Sequence, residues 1–372
     1  GQYNDFGVSI GKYNDGLIIM GGIGDRLTKD HTIKTGELEF NAAHFVTFTR
    51  LRSTGEVRLY ADGLLHAQAD LRDDVILNDS RTIKVGAFNS EGKPFHGLIG
   101  EIIILNTVLP EYHQHQIEKY LSAKWDIPMT SLPIDTGGLC LHLDASVKTT
   151  LTLVRGNRVS EWADMNSLIG TIAVQNTPEH QPAYVSESIN GLPGIRFNNN
   201  FMTVIPGTVP STDITIAFVY KALSPGNIHP DWAGGAGIID NYTRGSENHY
   251  GIAVNRDSGI SVRIGTTSIH SESLVQTPHL VVISRNSRTG IVDIYIDGLL
   301  ATTGKIVPDG TLLNDSPELS IGAIAKQGDQ SVSKGYFHGD LGEMILFTRV
   351  PDLAEKQTLE KYLSLKWKID IT

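Results

Sequence analysis

The feature that most constrains this 372-residue chain is an internal repeat. Residues 55–65 align with residues 290–300 without a gap, and shorter matches follow in the same order along both copies. The last match pairs residues 118–125 with residues 360–367, and both segments read Glu-Lys-Tyr-Leu-Ser-x-Lys-Trp. Because order and spacing are shared along the whole alignment, we infer two copies of one structural module.

The two copies differ in completeness, because residues 139–247 of the second copy have no counterpart ahead of the first. The sequence therefore predicts the C-terminal half of a module over 1–127, a linker over 128–138 and a complete module over 139–372. We expect an upstream segment of the natural protein or another chain to complete residues 1–127, and we favour the upstream segment.

Each copy shows the pattern of a β-hairpin. Apolar and polar residues alternate over 57–61 and over 292–296, which indicates antiparallel strands with one buried face. Asp62 and Asp297 follow these strands, and each is followed by glycine. Since Asp-Gly supplies the positive φ angles of a two-residue turn, both copies are predicted to form a tight hairpin here.

A central strand and a closing helix complete the predicted module. Residues 100–105 and 342–347 are almost wholly apolar after the glutamate, which indicates strands covered on both faces. Apolar residues then recur at i, i+3, i+4 and i+8 from Ile117 and again from Leu359, which places them on one helix face. Many short strands with few helices predict an all-β sandwich.

Three motifs together resemble a known superfamily. They are the Asp-Gly hairpin, the Phe-x-Gly-x-x-Gly-Glu element at 95–101 and 337–343, and the closing Glu-Lys-Tyr-Leu-Ser-x-Lys-Trp. The second copy also opens with Leu-Cys-Leu-His-Leu-Asp-Ala-Ser at 139–146. This set resembles the concanavalin A/laminin G-like lectin–glucanase superfamily, in its bacterial or phage LamG-like branch. The resemblance spans essentially the whole chain and implies tandem antiparallel jelly-roll β-sandwiches, each closed by a C-terminal α-helix.

The fold does not fix the function, because this superfamily contains lectins, adhesion modules, pentraxins and glucanases. Retaining glucanases present two carboxylates about 5 Å apart on one strand, in Glu-x-Asp-x-Glu or Glu-x-Asp-x-x-Glu. Neither string occurs here, and no nucleophile elbow, zinc-protease motif or phosphate loop occurs either. The sequence therefore predicts a protein that is not an enzyme.

Two histidine–glutamate pairs are the alternative catalytic candidates. His96 with Glu101, and His338 with Glu343, repeat at the same positions of the two copies. The occurrence of the pair in both copies fits a structural role at least as well as acid–base catalysis, because both copies of a fold need the same contacts. We favour the structural interpretation for these pairs and for the repeated His44 and His279.

A glycine-rich segment offers the chemistry of a sugar site, which combines an aromatic platform with polar side chains. The predicted ligand-binding residues are Trp232, Asp240, Asn241, Tyr242 and Arg244. A solvated loop with the tryptophan tucked beneath it is the alternative interpretation.

Calcium is the one cofactor for which the sequence offers ligands, since calcium prefers six to eight oxygen ligands. The candidate ligands occupy equivalent turns of the two copies and are Asn78, Asp79, Asn314 and Asp315. Asx-turns explain the same Asn-Asp pairs without a metal, so both interpretations remain open.

The net charge and the hydropathy of the chain limit the classes of partner that we expect. The formal net charge is −10, which argues against nucleic acid, and no apolar run approaches the roughly 20 residues of a membrane-inserted helix. The sequence predicts a non-catalytic recognition or structural module, binding glycan or a protein surface, in an exported surface protein or a phage particle. Extracellular space, cell surface and virion are the expected locations. A calcium-dependent lectin is the alternative function, and a polysaccharide-cleaving enzyme is the third.

Overall fold

The chain folds as two compact units, Gly1–Pro133 and Ile134–Thr372. In the computed structural model of the protein, the described residues are 5–13, 16–24, 31–35, 38, 41–70, 83–88, 93–127, 129, 132–165, 171–205, 212–224, 235–241, 248–255, 257–265, 267–274, 276–306, 313, 319–324 and 335–372. Among these residues, no helix is long and apolar enough to span a bilayer.

The first unit contains two antiparallel three-stranded meanders, a two-stranded ribbon and one helix. Their bounds are β1 Asp5–Tyr13, β2 Gly16–Gly24, β3 His31–Lys34, β4 Val46–Leu51, β5 Glu56–Ala61, β6 Leu64–Asp70, β7 Ala87–Phe88, β8 Lys93–Pro94 and α1 Glu111–Trp125. The meanders β1–β3 and β4–β6 pack together through one apolar cluster of Ile19, Ile23, Ile33, Val57 and Leu59.

The second unit is larger and ends in the second helix. Its elements are β9 Leu139–Asp144, β10 Leu151–Val154, β11 Arg158–Ala163, β12 Ile172–Val174, β13 Ala183–Ile189, β14 Leu192–Phe197, β15 Met202–Ile205, β16 Ile214–Ala222, β17 Ala236–Asp240, β18 Tyr250–Val254, β19 Ile260–Ile264, β20 Thr267–His270, β21 Pro278–Arg285, β22 Ile291–Ile296, β23 Leu299–Lys305, β24 Leu319–Ile321, β25 Gly339–Phe347 and α2 Leu353–Trp367.

Two antiparallel sheets form the second unit. The first sheet has the order β9-β25-β16-β21-β22-β23, and β14 pairs with the start of β25. The second sheet has the order β11-β12-β15-β24-β17-β18-β19-β20. Apolar side chains from both sheets form one continuous core. The predicted all-β jelly-roll sandwich, closed by a C-terminal helix, is therefore confirmed.

Several structural elements of the two copies begin and end at equivalent residues. Strands β5 and β6 correspond residue for residue to β22 and β23, and α1 corresponds in the same way to α2. Both hairpins turn through Asp-Gly with positive φ at both residues, 51° and 81° in the first unit and 50° and 84° in the second. These are the two-residue turns that the sequence predicts.

A histidine–aspartate pair holds each hairpin turn. His44 Nδ1 lies 2.7 Å from Asp62 Oδ2, and His279 Nδ1 lies 2.7 Å from Asp297 Oδ2. In each case the backbone N–H of the next residue donates to the other carboxylate oxygen, at 3.0 and 2.9 Å. The repeated histidines at the starts of these strands therefore connect a strand end to the turn that faces it.

The central strand forms in the second unit only. Every residue of β25 is buried, and the strand pairs with β16 on one edge and with β9 and β14 on the other. The predicted counterpart at 100–105 belongs to no strand, and its apolar residues from Ile102 to Leu105 are 43–58% exposed. The difference has a physical reason: among the described residues of the first unit, no strand corresponds to β9, β14 or β16.

A similar difference affects residues 83–85, which the repeat aligns with Leu319–Ile321. Ile83 and Val85 are 63% and 59% exposed and belong to no strand, whereas their counterparts Leu319 and Ile321 lie in β24 and are 3% and 0% exposed. In the second unit β24 is held between β15 and β17. The first unit offers neither neighbour within its described residues.

The glycine before the repeated glutamate should be required in the second unit. A Cβ at Gly342 would lie 2.6 Å from the indole of Trp367, which is fully buried and has no room to move. Gly342→Ala should lower the free energy of unfolding by about 1–3 kcal/mol in urea titrations. Gly100→Ala is the matched control, because Trp125 is 42% exposed and is free to shift. Equal losses from both substitutions would contradict this explanation.

Candidate functional site

The densest group of ionisable side chains lies where α2 packs on β25. Tyr362 Oη donates to Glu343 Oε1 at 3.0 Å, and Trp367 Nε1 donates to Glu343 Oε2 at 2.7 Å. Lys366 Nζ also donates to Glu343 Oε2 at 2.7 Å. Tyr362 and Lys366 are one helical turn apart, so the closing sequence motif places three donors around one buried carboxylate.

Strand β9 supplies the other half of this group. His142 Nε2 lies 2.7 Å from Glu343 Oε1, and Lys366 Nζ donates to Asp144 Oδ2. The backbone N–H and the hydroxyl of Ser146 donate to Asp144 Oδ1, at 2.9 and 2.6 Å. We call His142, Asp144, Glu343, Tyr362, Lys366 and Trp367 the helix–strand cluster.

Three members of the helix–strand cluster have the spacing of metal ligands, because ligand atoms of His142, Asp144 and Glu343 all lie within 4.8 Å of one another. Such a donor set suits a divalent cation. However, the Lys366 ammonium already bonds both carboxylates. A metal ion would have to displace this buried cation, so the donor set fits an internal ion pair better than a metal.

The charged groups of the helix–strand cluster stabilise one another in their ionised forms. Burial raises the pKa of the Glu343 carboxyl, but Lys366 and His142 outweigh burial and lower that pKa to about 2. Burial lowers the pKa of Lys366, whereas Asp144 and Glu343 raise this pKa well above its usual range. The ion pair therefore stays charged at neutral pH and links the helix to two strands.

The first unit repeats only the helix side of the cluster. Glu101 accepts hydrogen bonds from Tyr120 Oη at 3.1 Å, Lys124 Nζ at 3.0 Å and Trp125 Nε1 at 3.2 Å. Hydrogen bonds from Lys124 and Trp125 lower the pKa of Glu101. Trp125 remains 42% exposed, and the described residues of this unit contain no counterpart of His142 or Asp144.

The predicted His338–Glu343 pair does not form, because the two residues have other partners. His338 Nε2 lies 3.2 Å from Asn199 Oδ1, while Glu343 bonds His142 and the donors of α2. In the first unit Glu101 likewise bonds α1. The structural interpretation therefore accounts for both glutamates. Sequence reasoning missed the helix as their partner, although the repeated Tyr-x-x-x-Lys-Trp beside a repeated Gly-Glu was the available signal.

Most of the predicted ligand residues lie outside the described residues. They are the glycan candidates Trp232, Tyr242 and Arg244 and all four calcium candidates, Asn78, Asp79, Asn314 and Asp315. Asp240 and Asn241 lie at the end of β17 and are buried. Asn241 Oδ1 accepts the backbone N–H of Tyr250 at 2.6 Å, so this amide connects β17 to β18.

Asp240 belongs to a polar row across the second sheet. The register pairs Thr203 with Ser320, Ser320 with Asp240, Asp240 with Gly251, and Gly251 with Arg263. Directly paired residues of antiparallel strands point to the same face. Neighbours such as Ile321 and Val262 lie in the core, so the polar row lies on the opposite face of the sheet. Thr203 and Arg263, at its two ends, are partly exposed, whereas Ser320, Asp240 and Gly251 between them are buried. Two hydroxyls, a carboxylate and a guanidinium on four strands thus lie in one row, with Gly251 of β18 between the carboxylate and the guanidinium.

No protein-family model and no curated protein matches this chain. Among solved structures, domain 4 of the extracellular arabinanase AbnA from Geobacillus stearothermophilus is 12% identical, with a TM-score of 0.40 over 60% of this chain and 98% of that chain. The CBM40 of the Ruminococcus gnavus IT-sialidase is 17% identical, with a TM-score of 0.32 over 39% of this chain and 80% of that chain.

A NanB sialidase variant from Streptococcus pneumoniae is 16% identical, with a TM-score of 0.37 over 44% of this chain. The alignment covers 27% of the NanB chain, so this protein spans about a quarter of that sialidase. At these identities the similarities concern the fold alone.

The pKa of Glu343 gives the helix–strand cluster a pH dependence of known sign. A carboxyl with a lowered pKa stabilises the fold above its unfolded value of about 4.3, and this contribution is lost as pH falls towards the folded value. The stability of the second unit should therefore drop between about pH 5 and pH 2. Glu343→Gln should lower stability at neutral pH by about 1.5–3 kcal/mol, because the charged hydrogen bonds of Glu343 are weakened while Lys366 keeps Asp144 as a counter-charge.

Urea titrations followed by tryptophan fluorescence at several pH values measure both effects. Glu101→Gln is the matched control, since Glu101 is partly exposed and solvent screens its contact with Lys124. The same substitution there should lower stability much less than Glu343→Gln does. If Glu343→Gln had the same midpoint urea concentration of unfolding as the wild type, the cluster would not hold α2 in place.

Proposed function

We propose that this chain is a non-catalytic recognition module of the LamG-like branch that binds glycan through the outer face of its second sheet. The observation that carries the proposal is the polar row, because it aligns sugar-binding chemistry across adjacent strands of a rigid scaffold. The proposal also places the chain in an exported surface protein or a phage particle, and this part rests on the sequence resemblance.

The chemistry of the polar row suits a polyhydroxylated ligand. Thr203 and Arg263 are partly exposed, and Arg263 Nε donates to the carbonyl oxygen of Gly265 at 2.8 Å. A hydroxyl and a planar guanidinium thus reach the surface, and both groups form hydrogen bonds with sugar hydroxyls. Asp240 and Ser320 are buried, so in this proposal they support the exposed residues of the row and do not contact the ligand themselves. Specificity would come from the neighbouring segment that contains Trp232, Tyr242 and Arg244.

The hydrogen bonds and ion pairs of the buried carboxylates support a function without catalysis. Glu343 and Asp144 share the Lys366 ammonium, and Asp340 is bonded by Arg196 at 2.7 and 2.8 Å and by Ser188 at 2.6 Å. A glycosidase needs one carboxyl that keeps its proton near neutral pH beside a second that does not. These carboxylates are instead committed to internal hydrogen bonds.

A glycan array tests the proposal directly. The wild-type chain should bind a defined set of glycans, and Arg263→Ala should weaken binding about tenfold, because it removes a charged donor from the polar row. Arg288→Ala is the matched control, since Arg288 is exposed in a hairpin turn away from that row. Trp232→Ala should also weaken binding if the sequence-predicted segment contributes an aromatic platform.

The same array separates the alternatives. Loss of binding in EDTA would identify a calcium-dependent lectin, and release of reducing sugar from β-glucans would identify an enzyme. Binding that survives Arg263→Ala unchanged would remove the polar row from the site. Binding to no glycan at all would overturn the proposal and favour a protein partner.

A further inference from the structure

The first unit exposes a segment that its own repeat buries completely. Ile99, Ile102, Ile103, Ile104 and Leu105 are 43–58% exposed. Their counterparts are all 0% exposed and are Leu341, Met344, Ile345, Leu346 and Phe347. A run of apolar residues this exposed marks an interaction surface in a folded protein. The repeat shows what kind of interaction would cover it.

In the second unit this segment is β25, and β9 lies along one of its edges. Met344 pairs with Leu143 and Ile345 pairs with His142. The same register brings Asp144 beside Glu343, so that Asp144 bonds Lys366 and His142 bonds Glu343. Strand β9 is therefore recognised by backbone pairing, by apolar side chains and by two charged contacts.

The first unit retains the groups that recognise such a strand. Lys124 bonds Glu101 at 3.0 Å, as Lys366 bonds Glu343 at 2.7 Å, and both lysines project from the last turn of their helix. The Lys124 side chain is 46% exposed, whereas that of Lys366 is 16% exposed. An incoming carboxylate would therefore find an accessible ammonium in the first unit.

We propose that residues 98–105 form a strand-acceptor site for an extended polypeptide with the chemistry of Leu139–Asp144. Such a polypeptide is apolar except for a His and, two positions later, an Asp. This strand adds to the edge of residues 98–105 by backbone hydrogen bonds. Its Asp bonds Lys124, and its His bonds Glu101. The proposal does not depend on glycan binding.

A second copy of the exposed segment is a poorer occupant. Pairing residues 98–105 with themselves would bring a second Glu101 to the edge and would supply no imidazole. Burying one carboxylate near another is costly, because like charges in a desolvated site repel. The charge pattern of the acceptor therefore favours a strand that carries its own His-x-Asp pair.

Binding of a labelled peptide to the full chain tests the proposal. The probe copies residues 139–146, and fluorescence anisotropy should show saturable binding. A probe with Asp144→Asn, or a chain with Lys124→Met, should bind at least fivefold more weakly, since either change removes the carboxylate–ammonium contact. Lys148→Met is the matched control on the chain, because Lys148 is exposed in the second unit.

Ile103→Pro provides a second variant that should fold normally, because Ile103 lies outside every strand of the described residues. Proline lacks the N–H that a strand edge needs, so this variant should lose probe binding. Unchanged binding by Lys124→Met or by Ile103→Pro would overturn the proposal, as would no binding up to about 1 mM probe. A dimer of the free chain that Ile103→Pro dissociates would identify a second copy as the occupant instead.

Discussion

The structure depends on the burial of one strand, β25. Its residues are apolar on both faces, and in the second unit a core covers one face, α2 packs on the other, and neighbouring strands occupy both edges. Each Ile or Leu that is buried completely contributes about 1.5–3 kcal/mol. The second unit meets all of these conditions and forms a single core from both sheets.

The helix–strand cluster explains how α2 is held on this sheet. A buried ion pair adds little net stability, because desolvation offsets most of the attraction, but removing one partner leaves an uncompensated charge. The cluster therefore acts mainly by fixing position, because three of the groups that contact Glu343 lie in the last two turns of α2 and must be placed correctly to reach it. The first unit keeps the same donors on α1, and its helix consequently docks by the same contacts without the strand that completes them.

Local features of the fold were predictable from the sequence, and long-range ones were not. The hairpins at Asp62 and Asp297 and the two closing helices follow from turn chemistry and periodicity, which act over a few residues. The pairing of His142 with Glu343 joins residues 201 positions apart, and no spacing rule reveals it. The central strand of the first unit was wrongly expected because an apolar pattern predicts a strand only when its neighbours are present. Asp240 was identified by composition, but its place in the polar row depends on strand register.

Amide hydrogen exchange in the free chain measures directly how the central strand depends on its neighbours. Backbone amides of β25 should exchange only through unfolding of the second unit, because the strand is paired on both edges. Amides of residues 98–105 should exchange at rates close to those of an unprotected peptide, because the described residues hold them in no strand. Equal protection of the two segments would contradict the account, since it would mean that the first unit completes its own central strand.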